Sequence, residues 1–336
     1  MISLPILPTT VIGSYPRPKW FREIIKGYKN GRYGEELLKE ASDDAVVSVI
    51  SDQEEVGIDI PSDGEMRRDE MVEYFAERIE GFRFYGPVRV WGNNFFRKPA
   101  VVSKITYIRP IVVDEYLFLR RHSSRPVVKV TITGPYTIAD WSFNEYYNSK
   151  EELAFELAKV IGTEIKKLEE VGSLFVQVDE PALTTHPKEM DWAVQAINKA
   201  VEGVNIKVGL HVCYSNYSLL KPYFDELRVT QFALEFANRG FRDLEVVKGL
   251  SKELGFGVID VHSRVVEEPE YVAKALFKIM EYLSPEYIYV NPDCGLKLLP
   301  RSIAKAKLRA MVEGVMIVRR ELAKKGLTEI PLRNKV

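Results

Sequence analysis

Cysteine and histidine are scarce in this chain, two and four among 336 residues. Two cysteines as far apart as Cys213 and Cys294 argue against a disulfide framework and fit a reduced, cytoplasmic setting. Net charge is almost absent, at −1 with 47 Lys and Arg interleaved among 48 Asp and Glu. That removes the bulk attraction that nucleic acid or an anionic membrane would exert. No apolar run approaches the ~20 residues of a membrane helix, and the opening Met1-Ile2-Ser3-Leu4-Pro5 lacks the basic and apolar regions of a secretion signal. Linkers, low-complexity stretches and short repeats are missing too, so residues 1–336 read as one domain. Glutamine is rare beside abundant Lys, Arg and Glu, a bias compatible with a thermophilic source. What remains is a globular composition, 46% hydrophobic and 28% charged, sufficient for a sizeable core.

Short β-branched runs alternate with longer segments of helical period. The strands read as Thr10–Gly13, Gly57–Ile60, Val127–Ile132, Leu174–Val178, Ile206–Leu210, Thr230–Leu234, Gly257–Val261 and Tyr287–Val290. Between them lie amphipathic helices. In Glu151 to Val171, for example, Leu153, Leu157, Val160, Ile161 and Ile165 share one face. Similar patterns run from about Met190 to Val201, Leu244 to Leu254, Tyr271 to Leu283 and Arg301 to Lys325. Eight strands each followed by a helix predict an α/β fold, a (β/α)8 TIM barrel. A stretch from Gly81 to about Pro110, rich in aromatics, Gly and Val, predicts a β-hairpin insertion between helix 2 and strand 3. A doubly wound sheet is the competing architecture, because the same alternation generates both.

The predicted strand ends carry an unusual density of chemistry. Ser14 follows the first, Asp63-Gly64-Glu65 the second, Thr133-Gly134-Pro135 the third and Asp179-Glu180-Pro181 the fourth. Strand five ends in His211 and Cys213, six in Glu235, seven in His262 and eight in Asp293-Cys294. On an extended chain the i, i+2 spacing of His211 and Cys213 puts both side chains on one face. An imidazole, two thiolates and a carboxylate (His211, Cys213, Cys294 and Glu235) make a tetrahedral Zn2+ set if the three segments converge. Each alone has a blander reading: a packed cysteine, a hydrogen-bonded histidine, a solvated carboxylate. His262 could cap a helix, and Asp179 could form a turn ahead of Pro181.

The motifs form a series. Thr9-Thr10-Val11-Ile12-Gly13-Ser14-Tyr15-Pro16, Asp63-Gly64-Glu65 with Met71-Val72-Glu73-Tyr74-Phe75, and Thr133-Gly134-Pro135 through Trp141-Ser142-Phe143 begin it. Val176-Gln177-Val178-Asp179-Glu180-Pro181-Ala182-Leu183, His211-Val212-Cys213, Asp260-Val261-His262-Ser263 and Val290-Asn291-Pro292-Asp293-Cys294-Gly295-Leu296-Lys297 continue it. In order and over essentially the whole chain, they closely resemble the C-terminal catalytic domain of cobalamin-independent methionine synthase, in the single-domain "core" form found in archaea.

The resemblance implies roles by motif match. His211, Cys213, Glu235 and Cys294 correspond to the zinc ligands. Ile12, Ser14, Glu65 and Asp179 correspond to the groups that hold the amino-acid end of homocysteine, His262 to a histidine that handles a proton, and Trp141 to a tryptophan beside the methyl donor. The implied reaction is methyl transfer to the zinc-activated thiolate of L-homocysteine, loosening or displacing Glu235 and yielding L-methionine.

The chain departs from the family pattern where the donor binds. Folate-using forms carry Arg-Cys-Val-(Arg or Lys)-Pro-Pro with an acidic residue shortly after. Here the stretch reads Phe95-Phe96-Arg97-Lys98-Pro99-Ala100-Val101-Val102-Ser103-Lys104, without a carboxylate. The family's Ala-Leu-Arg-Glu is Ala182-Leu183-Thr184-Thr185, and Ser263-Arg264 lacks the intervening proline. The expected donor is therefore a methyl corrinoid, free or protein-bound, or a methylated pterin or folate. Two alternatives stay open. One is a zinc-binding subunit active only with a separate N-terminal-type barrel protein. The other is transfer to another thiol such as coenzyme M, against which Glu65 and Asp179 count, since that thiol has no ammonium for them.

Overall fold

The computed structural model describes residues 2–91 and 94–334. The chain opens on β1 (Ser3–Pro5), followed by α1 (Lys19–Lys29), α2 (Glu35–Glu55) and α3 (Met71–Ala76). Next come β2 (Ile79–Trp91) and β3 (Asn94–Tyr107), which pair antiparallel where the sequence predicts a hairpin. Gly92 and Asn93, which that reading includes, lie outside the described residues. After α4 (Val113–His122) strand and helix alternate: β4 (Val130–Thr133), α5 (Pro135–Asp140), β5 (Phe143–Asn144), α6 (Lys150–Glu170), β6 (Phe175–Asp179), α7 (Met190–Ala200) and β7 (Lys207–Val212). The chain continues through α8 (Tyr217–Leu220), β8 (Gln231–Leu234), β9 (Glu253–Ile259), α9 (Pro269–Ile279), β10 (Ile288–Pro292) and α10 (Arg301–Ala323). It closes on β11 (Glu329–Pro331), which pairs antiparallel with β1. Among the described residues no helix is long and apolar enough to cross a membrane.

The main sheet has the order β10-β9-β8-β7-β6-β4, with β9–β10 and β6–β7 pairing parallel. Its strands are buried along their whole length, as strands covered on both faces must be, which is why they read as apolar runs without alternation. The fold is α/β with a mostly parallel sheet. Helix α6 shows how the sequence sets local structure. Ser149 accepts the N–H of Glu152 at 3.0 Å as its N-cap, and Leu153, Leu157, Val160, Ile161 and Ile165 are all buried, as their period predicts.

Two predicted strands are reduced to single bridges. Thr9 bridges Val290 and Thr10 bridges Ile60, both parallel. The cause is local competition. The Thr9 N–H goes to the Asp59 carboxylate at 2.8 Å, and the Asp59 N–H goes to the Thr9 hydroxyl at 3.0 Å, so side chains take donors a longer ladder would use. The stretch predicted as a helix from Leu244 to Leu254 is a 3₁₀ turn, Leu244–Val247, and then strand. Leu244, Val247, Leu250 and Leu254 keep a helical spacing, but Gly249 adopts φ +82°, which ends any helix there.

The chain divides into two compact units. One comprises the chain up to Arg67, Phe118–Val130 and Ala233–Arg333. In it α10 packs on α9, and the Arg319 guanidinium fastens α10 to Asp59 at 2.6 Å and to the Ile6 carbonyl at 2.7 Å. The other comprises Arg68–Leu117 and Thr131–Phe232. Here α6 packs against α5 and α7, and its fully buried Glu164 accepts the Tyr107 hydroxyl at 2.8 Å and the N–H groups of Ile111 and Val112 at 2.9 and 2.6 Å. A buried carboxylate with three donors is satisfied, so it ties the segment after the hairpin to the helix.

Candidate metal centre

Strand β7 presents His211 inside its last turn of pleat and Cys213 one residue past its end, both buried. The chain then turns at once, because Tyr214 adopts φ +52° and the Tyr217 hydroxyl donates to the Val212 carbonyl at 2.9 Å. Cys294 lies two residues past β10. The ligand atoms of His211, Cys213 and Cys294 all lie within 4.8 Å of one another. Tetrahedral zinc with bonds of roughly 2.0–2.3 Å holds its ligands about 3.5 Å apart, so this donor set fits the ion with a small contraction. Glu235, immediately after β8 and 2% exposed, is not a member of that three-residue group, and neither is His262.

Next to Cys294, the buried Asp293 carboxylate accepts three backbone N–H groups: Phe236 and Ala237 at 2.9 Å and Asn238 at 2.7 Å. Burial pushes its pKa up to about 7 against the pull of those donors, and the Glu235 charge pushes the same way. Gly257 on β9 makes the arrangement possible, since a side-chain carbon there would stand 2.4 Å from Asp293 Oδ1.

Ser14 sits against Gly295, where a side-chain carbon would meet its Oγ at 2.0 Å, and the Leu296 N–H donates to the Ser14 carbonyl at 2.7 Å. Ile12 is buried. Glu65 is half-buried and lies on two successive left-handed residues, Gly64 at φ +65° and Glu65 itself at φ +54°. The Asp63 carboxylate accepts the Glu65 N–H at 3.0 Å, and the Ser62 hydroxyl accepts the Gly64 N–H at 3.2 Å. A non-glycine residue held in this region is over-determined by its surroundings, a pattern that concentrates at functional sites.

Asp179 ends β6, buried, and receives the Gln177 amide at 2.7 Å. Its neighbour Glu180 holds the start of α5, accepting the N–H groups of Tyr136 and Thr137 at 2.9 and 2.7 Å and the Thr137 hydroxyl at 2.6 Å. Complete burial pushes the Glu180 carboxyl up to about 7. Trp141 follows α5 with its side chain 37% exposed. Beside it, Asp140 accepts the Lys150 ammonium at 2.7 Å and lies 3.2 Å from His186 Nε2.

At the donor-binding departures, Thr184 donates to the Ser215 hydroxyl and Thr185 to the Ala182 carbonyl, both at 2.7 Å. Arg97 pairs with Glu73 and Glu77, and the Lys98 ammonium lies 4.4 Å over the Phe143 ring. His262, past the end of β9, is half exposed, and its backbone N–H and Nδ1 reach Asp260 Oδ1 at 2.9 and 3.1 Å.

The clamping roles of Asp293 and Glu180 were not legible in the sequence. Each stands next to a residue with chemistry of its own, but Glu180 meets the start of α5 and Asp293 the segment after β8, and the glycine that admits each is remote in the chain.

A family model described as "Cobalamin-independent synthase, Catalytic domain" matches residues 7–316. A methionine synthase of Thermococcus kodakarensis is 59% identical over 336 residues, covering 100% of both chains. One of Sulfurisphaera tokodaii is 57% identical over 333 residues, covering 99% of this chain and 98% of its own. Among solved structures, a B12-independent methionine synthase from a Shewanella species, in complex with selenomethionine, aligns with a TM-score of 0.86 at 28% identity, over 95% of this chain and 99% of that one.

Proposed function

The chain belongs to the cobalamin-independent methionine synthase family and is a methyltransferase, and we propose that it methylates the thiolate of L-homocysteine at a zinc centre to form L-methionine. The gathering of His211, Cys213 and Cys294 within 4.8 Å carries this reading. These three would hold the ion, with Glu235 as the fourth donor. When bound, zinc would lower the pKa of the substrate thiol from its usual ~8.5 and keep it a thiolate at neutral pH.

The chain's own residues do the rest. Ser14, with Ile12 beside it, receives the substrate carboxylate, and Glu65 and Asp179 receive its ammonium through charge-assisted bonds. The selenomethionine complex of the Shewanella protein supports an amino-acid site of this kind. Because the Asp260 carboxylate only accepts, His262 donates through Nδ1 and exchanges protons with substrate through Nε2. Protonating a departing pterin nitrogen is the task that suits it. Trp141 would flank the donor.

The same reading makes the chain a single-domain (β/α)8 barrel with the β2–β3 hairpin as an insertion. The bridges of Thr9 to Val290 and Thr10 to Ile60, with the bond from the Lys129 N–H to the Pro61 carbonyl at 2.9 Å, support closure between β10 and β4. Thiol ligands need a reducing compartment, so a cytoplasmic setting belongs to the proposal.

For the donor, the hydroxyls of Thr184 and Thr185 stand where the family has Arg and Glu, and both are spent on neighbours within the chain. That favours a methyl corrinoid, free or protein-bound, or another methylated pterin over methyltetrahydrofolate. The test is methionine formation by the zinc-loaded chain with homocysteine and each donor in turn. Methionine from one of them, lost on chelating zinc and restored by returning it, is expected. A zinc-loaded chain inactive with every donor would overturn the reading and turn attention to a required partner barrel. Efficient turnover with methyltetrahydrofolate alone would overturn the donor assignment.

A further inference from the structure

We infer that Asp293 is a positioning residue for the metal centre. It fixes the Glu235 loop against the Cys294 loop, so that the carboxylate ligand stands ready at a set distance from the thiolate ligand. The inference rests on the zinc reading above and concerns how the fourth ligand is held.

The geometry is specific. In the sheet, β8 and β10 are not neighbours, because β9 runs between them. Glu235 leaves β8 and Cys294 leaves β10, so no backbone ladder fixes one against the other. Asp293 supplies the missing link. Its own N–H is held by the Ile259 carbonyl of β9 at 2.9 Å, and its side chain passes over β9 to the loop after β8. The crossing occurs at Gly257, whose missing side chain leaves the space that Asp293 Oδ1 fills. Gly257 is also the register partner of Asn291 on β10, two residues before Asp293.

At the far end the carboxylate takes the N–H groups of the three residues that directly follow Glu235. Three donors on one buried carboxylate hold a short segment at a defined place and angle, because moving the loop would strand an acceptor away from water. Asp293 donates nothing to the metal. It acts through Glu235, as groups that orient a metal's ligands do.

An amide at position 293 could still accept from Phe236 and Ala237, but its NH2 would face the Asn238 N–H, donor against donor. Zinc affinity, read by competition with a chromophoric chelator, should therefore fall about 10–100-fold in Asp293→Asn, with homocysteine absent and no reliance on activity. Glu235→Gln should also weaken zinc. The double variant should bind zinc within about twofold of Glu235→Gln alone, since a residue that acts through Glu235 has nothing left to position. A merely structural role for Asp293 would instead add its loss to that of Glu235→Gln.

Affinity unchanged in Asp293→Asn, or losses that multiply in the double variant, would overturn the inference. A wild-type chain that takes up no zinc would overturn the metal reading and this inference with it. Amide exchange on the wild-type chain reads the clamp without any variant. The N–H groups of residues 236–238 should be protected, and more so with zinc bound. Exchange at open-loop rates with and without zinc would also overturn the inference, whether or not the variants fold.

Discussion

Glu180 receives both the backbone N–H and the hydroxyl of Thr137, at 2.7 and 2.6 Å, from a position sealed completely from water. The carboxylate replaces a side-chain cap for α5, whose N-cap residue is Gly134 and carries no side chain. Glycine is needed there for space, since a side-chain carbon would stand 2.1 Å from Glu180 Oε1. The same contact fixes β6, and with it Asp179, against the segment leading to Trp141.

Stability should depend on pH through this group. Burial raises the Glu180 pKa from 4.5 to about 7, so between those values the native chain keeps a proton that the unfolded chain has lost. Unfolding then releases a proton, and the contribution of Glu180, complete below about pH 4.5, is lost as pH rises through about 7. Asp293, also raised to about 7, acts with the same sign. Melting temperatures of the zinc-free chain should therefore fall from about pH 5 to about pH 8, and less steeply in Glu180→Gln. Equal slopes in the two proteins would remove Glu180 as the cause.

Cys213→Ser or Cys294→Ser should lose zinc while keeping the fold, because both residues stand past strand ends and not within the ladder. Metal content by atomic emission, with far-UV circular dichroism as the control, reads this directly. A serine variant that retained stoichiometric zinc would show that its cysteine is not a ligand.

Asp179→Asn should raise the Michaelis constant for homocysteine and leave zinc content unchanged. A charge-assisted bond to the ammonium, worth roughly 1.5–3 kcal/mol, becomes a neutral one. The corresponding rise in KM is about five- to tenfold. Lost zinc with normal homocysteine binding would reverse the assignment.

His262→Asn should lower turnover by ~10²–10⁴-fold with an N-methyl pterin donor, whose nitrogen must be protonated as it leaves. With a methyl corrinoid the departing cobalt(I) needs no proton, and the loss should be far smaller. Zinc and homocysteine affinity should change little in either case. Equal, large losses with both donors would assign His262 a structural role through its contact with Asp260.

Much of the local structure was legible because it depends on neighbours in sequence. The helical period of α6, the Arg301 start of α10, and the i, i+2 pairing of His211 with Cys213 are all set within a few residues. The differences arise where a glycine turns the chain or distant groups intervene. The segment from Leu244 to Leu254 has the apolar spacing of a helix, yet Gly249 turns it and β9 claims its last residues as a partner for β10. The runs at Thr10–Gly13 and Gly57–Ile60 have strand composition, but Thr9 and Asp59 spend their N–H groups on each other's side chains.

By itself the sequence determined which donors exist, that they stand at strand ends, and which family the order of its motifs belongs to. Only the tertiary structure decided which of them meet. A hydrogen bond reaches about 3 Å, so a contact between residues as far apart in the chain as Phe236 and Asp293, separated by 57 positions, requires a particular strand order and register. No local period encodes that order. The passage of Asp293 over Gly257, the seat of Ser14 against Gly295, and the gathering of His211, Cys213 and Cys294 follow from how strands stack, which the folded chain alone fixes.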